Sequence, residues 1–146
     1  MKASRILLAE DSAQDVELTL NALAAHNLSN SVDVARDGAE ALDYLYRRGA
    51  HAARRNGNPV LILLDLKMPR VDGLQVLREV KADPRLRTIP VVVLTSSREE
   101  QDVVRSYELG VNAYVVKPVE FDKFVGAVHD LGLFWMLLNE PPPGRG

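Results

Sequence analysis

Five short apolar runs with strand character punctuate the chain, at 5–9, 31–35, 60–65, 90–95 and 113–117, and each gives way to a stretch whose apolar residues recur at helical spacing. Runs such as Val60-Leu61-Ile62-Leu63-Leu64 do not alternate with polar residues, which is the pattern of strands covered on both faces of a parallel sheet. The first helix is predicted from Ser12 or Ala13 to His26, with Val16, Leu20 and Leu23 on one face. A second spans 38–49 around Ala41, Leu42 and Leu45, and Gly49 stops it. The third opens at Asp72-Gly73 and uses Leu74, Val76, Leu77 and Val80 before Asp83-Pro84; a fourth covers 98–110 and ends at Gly110. Phe121, Phe124, Val125, Val128 and Leu131 line one face of a last helix.

Strands alternating with single helices give an α/β doubly wound parallel sheet, here with five strands and five helices. Right-handed crossovers leave few topologies, and the flavodoxin-like order 2-1-3-4-5 sets the ends of strands 1 and 3 side by side at the carboxyl edge, where such sheets bind ligands. The polar residues at the strand ends are distributed accordingly. Glu10 and Asp11 follow the first strand, Asp65 ends the third, Thr95 the fourth and Lys117 the fifth, while the second strand ends in none of the candidates.

Three carboxylates converging on one crevice imply a divalent cation, because without one they repel one another. A hard cation such as Mg2+, or Mn2+ in its place, suits Asp11, Asp65 and the backbone carbonyl of Lys67 as ligands, with Glu10 in an indirect role. Asp65 is then a carboxylate nucleophile toward a phosphoryl group. The Lys117 ammonium and the Thr95 hydroxyl would meet the phosphoryl oxygens. Asp72 and Gly73 read as a helix cap and opening rather than phosphate contacts.

Composition narrows the setting. At 146 residues, 47% hydrophobic and 26% charged, the chain has room for one globular domain. A net charge of −2 argues against a general nucleic-acid binder. Cysteine is absent, which excludes disulfides, thiolate metal sites and cysteine catalysis. The amino terminus does not read as a signal peptide and no apolar stretch is long enough to span a membrane, so a cytoplasmic setting without membrane or nucleic-acid partners is expected. Between the second helix and third strand lies a long loop, 47–59, carrying Arg47, Arg48, Arg54 and Arg55. It reads as a solvated surface loop, with docking to an acidic partner as the alternative. His26, His51 and His129 read as structural or solvated.

With these residues in place, the sequence resembles the receiver domain of two-component response regulators, the CheY-like fold, over about residues 4–131. The resemblance rests on Glu10-Asp11, on Asp65 within Asp65-Leu66-Lys67-Met68-Pro69-Arg70-Val71-Asp72-Gly73, on Thr95-Ser96 and on Lys117-Pro118, in order and spacing. It implies that Asp65 accepts phosphate from a sensor histidine kinase, that Thr95 moves toward it, that Tyr114 swings inward as an aromatic switch, and that the bond before Pro118 is cis. It also implies a phosphoacceptor with Mg-dependent self-phosphorylation rather than an enzyme in the usual sense. Lys67 and Ser97 occupy places that in the family flank the path of the hydrolytic water. A lysine there cannot accept that water's proton, so slow to moderate self-dephosphorylation is expected, and loss of phosphate within seconds in Mg2+ buffer would overturn this.

The resemblance ends near residue 131, which leaves no room for an output domain, so a stand-alone receiver signalling by protein binding is expected over 1–138, followed by a Pro/Gly-rich flexible tail at 139–146. Leu133-Phe134-Trp135-Met136-Leu137-Leu138 is apolar all round, and a homodimer through Phe134, Trp135, Leu137 and Leu138 with the fourth and fifth helices would cover it; folding back on its own domain is the alternative. Leu42-Asp43-Tyr44-Leu45-Tyr46-Arg47-Arg48-Gly49, the arginine loop, Ser106-Tyr107 and Phe134-Trp135 also resemble the single-domain regulators of bacterial phytochrome histidine kinases. Competing readings are a receiver of another pathway, a phosphorylation-independent binding module, a flavodoxin-like cofactor binder and an aspartate-nucleophile phosphatase. The phosphatase would want a second aspartate two residues after the nucleophile, where Lys67 stands.

Overall fold

The apolar runs become β1 (Ile6–Ala9), β2 (Val32–Ala35), β3 (Leu61–Asp65), β4 (Val91–Thr95) and β5 (Ala113–Val116). All pair in parallel, in the order β2-β1-β3-β4-β5. The computed structural model describes residues 5–24, 31–55, 57–96, 111 and 113–130. Among them are four helices, α1 (Ala13–Ala24), α2 (Gly38–Tyr46), α3 (Gly73–Ala82) and α4 (Phe121–Asp130). The helix expected at 98–110 and the segment from 131 onward lie outside the described residues.

Every residue of β1, β3 and β4 is buried, as an unbroken apolar run requires when both faces of a sheet are covered. Successive side chains feed two separate cores. Leu7, Ile62, Leu64, Val91 and Val93 join Leu42, Leu45, Val76 and Leu77 of α2 and α3. Ile6, Leu8, Leu61, Leu63, Val92 and Leu94 join Leu23 of α1 and Phe124 and Val128 of α4. Each such aliphatic side chain stabilises the fold by about 1.5–3 kcal/mol on burial, so the two-sided central strands hold the sheet edge in place. The edge strands β2 and β5 are only partly covered.

Polar residues start the helices. Asp37 accepts the Glu40 amide at 2.8 Å and Asp72 accepts the Gln75 amide at 2.9 Å, each an N-cap worth about 1 kcal/mol. The end of α2 differs from the expectation. The helix stops at Tyr46, and Arg47 caps it in the left-handed region at φ 55. The strain is offset by the Arg48 amide bond to the Asp43 carbonyl at 2.9 Å and by the Arg48 guanidinium on the Asp43 carboxylate at 2.8 Å. Gly49, at φ +58, opens a short 3-10 turn; a Cβ there would come within 2.9 Å of the Asp43 carboxylate.

The arginine loop is also more ordered than its charge suggested. The Arg54 guanidinium lies 4.0 Å from the Tyr44 ring centroid and donates to the Tyr44 carbonyl at 3.0 and 2.7 Å and to the Gly57 carbonyl at 2.9 Å. The Tyr44 hydroxyl donates to Asp33 at 2.5 Å, and Arg5 clamps the same carboxylate. Arg54 is therefore a strut of the fold rather than a solvated charge, whereas Arg55 is exposed. His51 lies 3.0 Å from the Glu40 carboxylate, a structural role. No described helix is long and apolar enough to cross a membrane.

Candidate functional site

Strand register assembles the site. Ala9 pairs with Leu64, so Glu10 and Asp65 leave the sheet side by side. Asp65 pairs with Leu94, which sets Thr95 one step beyond. Thr95 in turn pairs with Val116, and the following Lys117 amide donates to the Thr95 carbonyl at 2.7 Å. Glu10, Asp11 and Asp65 each offer an oxygen, and the three lie within 4.8 Å of one another. Glu10 and Asp65 are buried, and Asp11 is exposed at the mouth.

The backbone around Asp65 is closely fitted. The Lys67 amide donates to the Asp65 carboxylate at 3.3 Å. Gly73 starts α3 directly against the end of β3, its amide on the Leu66 carbonyl at 2.9 Å, and a Cβ there would fall 2.2 Å from the Asp65 carbonyl oxygen. Only glycine permits that approach. The Asp-Gly pair therefore serves as the cap and opening of α3.

Lys117 is the one cation described inside the crevice, with its side chain 14% exposed. Its Nζ lies 2.9 Å from Glu10, 3.0 Å from Asp15 and 3.6 Å from Asp65. Burial by itself would lower the Lys117 pKa, but the hydrogen bonds to Glu10 and Asp15 and the charge of Asp65 hold it above its ordinary value. Asp65 is pushed up to about 7, first by burial and then by Glu10, with Lys117 and the Lys67 amide pulling the other way. The Thr95 hydroxyl is buried and has no hydrogen-bond partner. A buried donor left unmade is unfavourable, so this atom suits an oxygen arriving in the crevice.

The carboxylate donor set and the orphaned hydroxyl fit a divalent cation with an anionic oxygen ligand. Lys67 is exposed beside Asp65, Tyr114 is 37% exposed on β5, and the Lys117-Pro118 peptide is cis. Ser97 and the aromatic segment with Phe134, Trp135, Leu137 and Leu138 lie outside the described residues. Sequence reading missed Asp15, which lies in the first turn of α1 among polar residues that only the contact with Lys117 sets apart. It also missed Arg36, which donates to the Asp11 carbonyl at 3.3 Å, and Arg70, at φ 66, whose guanidinium reaches Asp37 at 3.0 Å.

Comparison with known proteins agrees with this arrangement. The family model for the response regulator receiver domain matches residues 6–129. A solved bacteriophytochrome response regulator, AtBRR, is 62% identical with a TM-score of 0.87, covering 96% of this chain and 100% of that one. A second, RtBRR, is 65% identical with a TM-score of 0.86, covering 97% and 86%. The response regulator Rcp1 of Synechocystis is 40% identical over 131 residues, 90% of this chain and 88% of its own length. Rcp1 has also been solved in a Mn2+-bound form, at 37% identity and TM-score 0.73 over 97% of this chain and 99% of that one. By family match, fold and the order of its strand-end residues, the chain belongs to the response regulator receiver family and is homologous to phytochrome response regulators.

Proposed function

We propose that this receiver takes a phosphoryl group on Asp65 from the phosphohistidine of a phytochrome-type sensor histidine kinase and signals by binding other proteins. The observation that carries the reading is the placement of Asp65 beside Glu10 and Asp11, 3.6 Å from the Lys117 ammonium, in a crevice that also holds the partnerless Thr95 hydroxyl. An Asp65 oxygen forms a bond to phosphorus as the donor's P–N bond breaks, and the freed imidazole nitrogen takes up a proton. Lys117 meets the charge of the phosphoryl oxygens and Thr95 donates its hydroxyl to one of them. Tyr114 then moves inward from its exposed position.

Asp11, Asp65 and the Lys67 carbonyl would hold a Mg2+ ion, with Glu10 acting indirectly, and the Mn2+ of Rcp1 supports that reading. A cation held there would neutralise the crowded carboxylates and the charge that develops on the transferred group. Lys67 and Ser97 slow the attack of water, so the phosphoryl group persists beyond seconds. The protein works in the cytoplasm, without nucleic acid or membrane, and spends itself as a phosphoacceptor rather than turning over a substrate. The receiver domain is assigned to residues 1–138, with 139–146 outside it.

Intact mass of the wild type and Asp65→Asn after incubation with Mg2+ and a small-molecule phosphodonor tests the core of this. One added phosphoryl group on the wild type alone is expected. No adduct on either protein, with both folded, would move the function to phosphorylation-independent binding.

A further inference from the structure

We propose that Asp15 is a positioning residue that parks Lys117 in the unphosphorylated protein and must release it before the ammonium can engage a phosphoryl group. The proposal rests on the reading of Asp65 as acceptor. An ammonium has three N–H donors. In the structure Lys117 stands at hydrogen-bond distance from Glu10, 2.9 Å, and from Asp15, 3.0 Å, but at 3.6 Å from Asp65 it makes an ion pair without a hydrogen bond. Two carboxylates outside the reacting atom therefore hold the cation that the transferred group needs.

The two holders are not equivalent. The Glu10 side chain is 1% exposed, so withdrawing its cation would leave a buried negative charge uncompensated. Asp15 is 31% exposed and sits in the first turn of α1, where water and the positive end of the helix dipole can take over from the lysine. Asp15 is thus the partner that can be exchanged. Its bond to Lys117 stabilises the unphosphorylated state and has to be given up in the phosphorylated one, so it sets a threshold for phosphorylation.

In that case removing the Asp15 carboxylate should favour the phosphorylated form. With Mg2+ and a small-molecule phosphodonor, Asp15→Asn and Asp15→Ser should accept phosphate about 1.5-fold to fivefold faster than wild type, the range expected for one partly exposed ion pair. Affinity for beryllofluoride, a phosphoryl mimic, should rise by a similar factor. Asp15→Glu should return both toward wild type, and Glu17→Gln, the same charge change at an exposed site on α1, should leave both unaltered. A structural role alone would lower rate and affinity together and would not be rescued by glutamate. Unchanged or slower phosphorylation and unchanged or weaker beryllofluoride binding in folded Asp15 variants would overturn the proposal while leaving Asp65 as acceptor. Absence of any adduct on the wild type would overturn both.

Discussion

Asp65 shows how a single residue can be built for reaction at the expense of stability. Burial and the neighbouring Glu10 raise its pKa to about 7, so the folded protein binds this proton more tightly than the unfolded chain, where aspartate titrates near 4. Its contribution to stability is therefore fully present below about pH 4 and is withdrawn as the pH rises toward 7. Asp65→Asn should accordingly melt higher than wild type at pH 8 without added metal, by on the order of 1–3 kcal/mol, and the gap should narrow toward pH 4. Equal melting at pH 8 would contradict this. Adding Mg2+ should close part of the gap by stabilising the wild type through binding. Asp33 is the opposite case: burial alone would raise its pKa, but hydrogen bonds from Arg5 and Tyr44 and the charges of Arg5 and Arg54 hold it below its ordinary value. Asp65 could be found in the sequence because it ends an apolar run. Asp33 lies inside a strand run that gives no sign of the clamp around it, and Asp15 lies in a helix whose polar residues look alike until the fold brings Lys117 to one of them.

At the scale of elements, strand positions were legible to within a residue because unbroken apolar runs have no other stable home than a covered sheet. The loop between α2 and β3 was not, since four arginines in a connection read as solvent-facing by composition alone. What changed its character was one aromatic ring: Tyr44 is buried, and its face and carbonyl give Arg54 a place to stack and to donate. Arg54→Ala should therefore destabilise the protein by about 1–3 kcal/mol, the range for hydrogen bonds made by a charged group, and should speed amide exchange across 49–59. Arg55→Ala should change stability by less than about 0.5 kcal/mol. Thermal melting and hydrogen exchange of the two variants check this, and equal effects would mean that Arg54 does not hold the loop. A partner that docks on this loop would meet Arg55 rather than Arg54.

For the whole molecule, the apolar stretch Leu133-Phe134-Trp135-Met136-Leu137-Leu138 is the feature that most needs a cover, and we propose that a second copy supplies it. Sedimentation should give a dimeric mass, shifted toward monomer by Trp135→Glu or Leu138→Glu; a monomeric mass for the free and phosphorylated wild type would instead support an intramolecular cover. The sequence by itself determined the α/β class, the five strands and the identity of Glu10, Asp11, Asp65, Thr95 and Lys117, because hydrophobic periodicity and the residues that interrupt it are local properties of the chain. Only the tertiary structure decided which of these groups touch. Lys117 lies 107 residues from Glu10 and 102 from Asp15, and it was parallel register across four strands that set its ammonium between them and left the Thr95 hydroxyl without a partner. Contacts of that range depend on how separate elements pack, which no local pattern encodes.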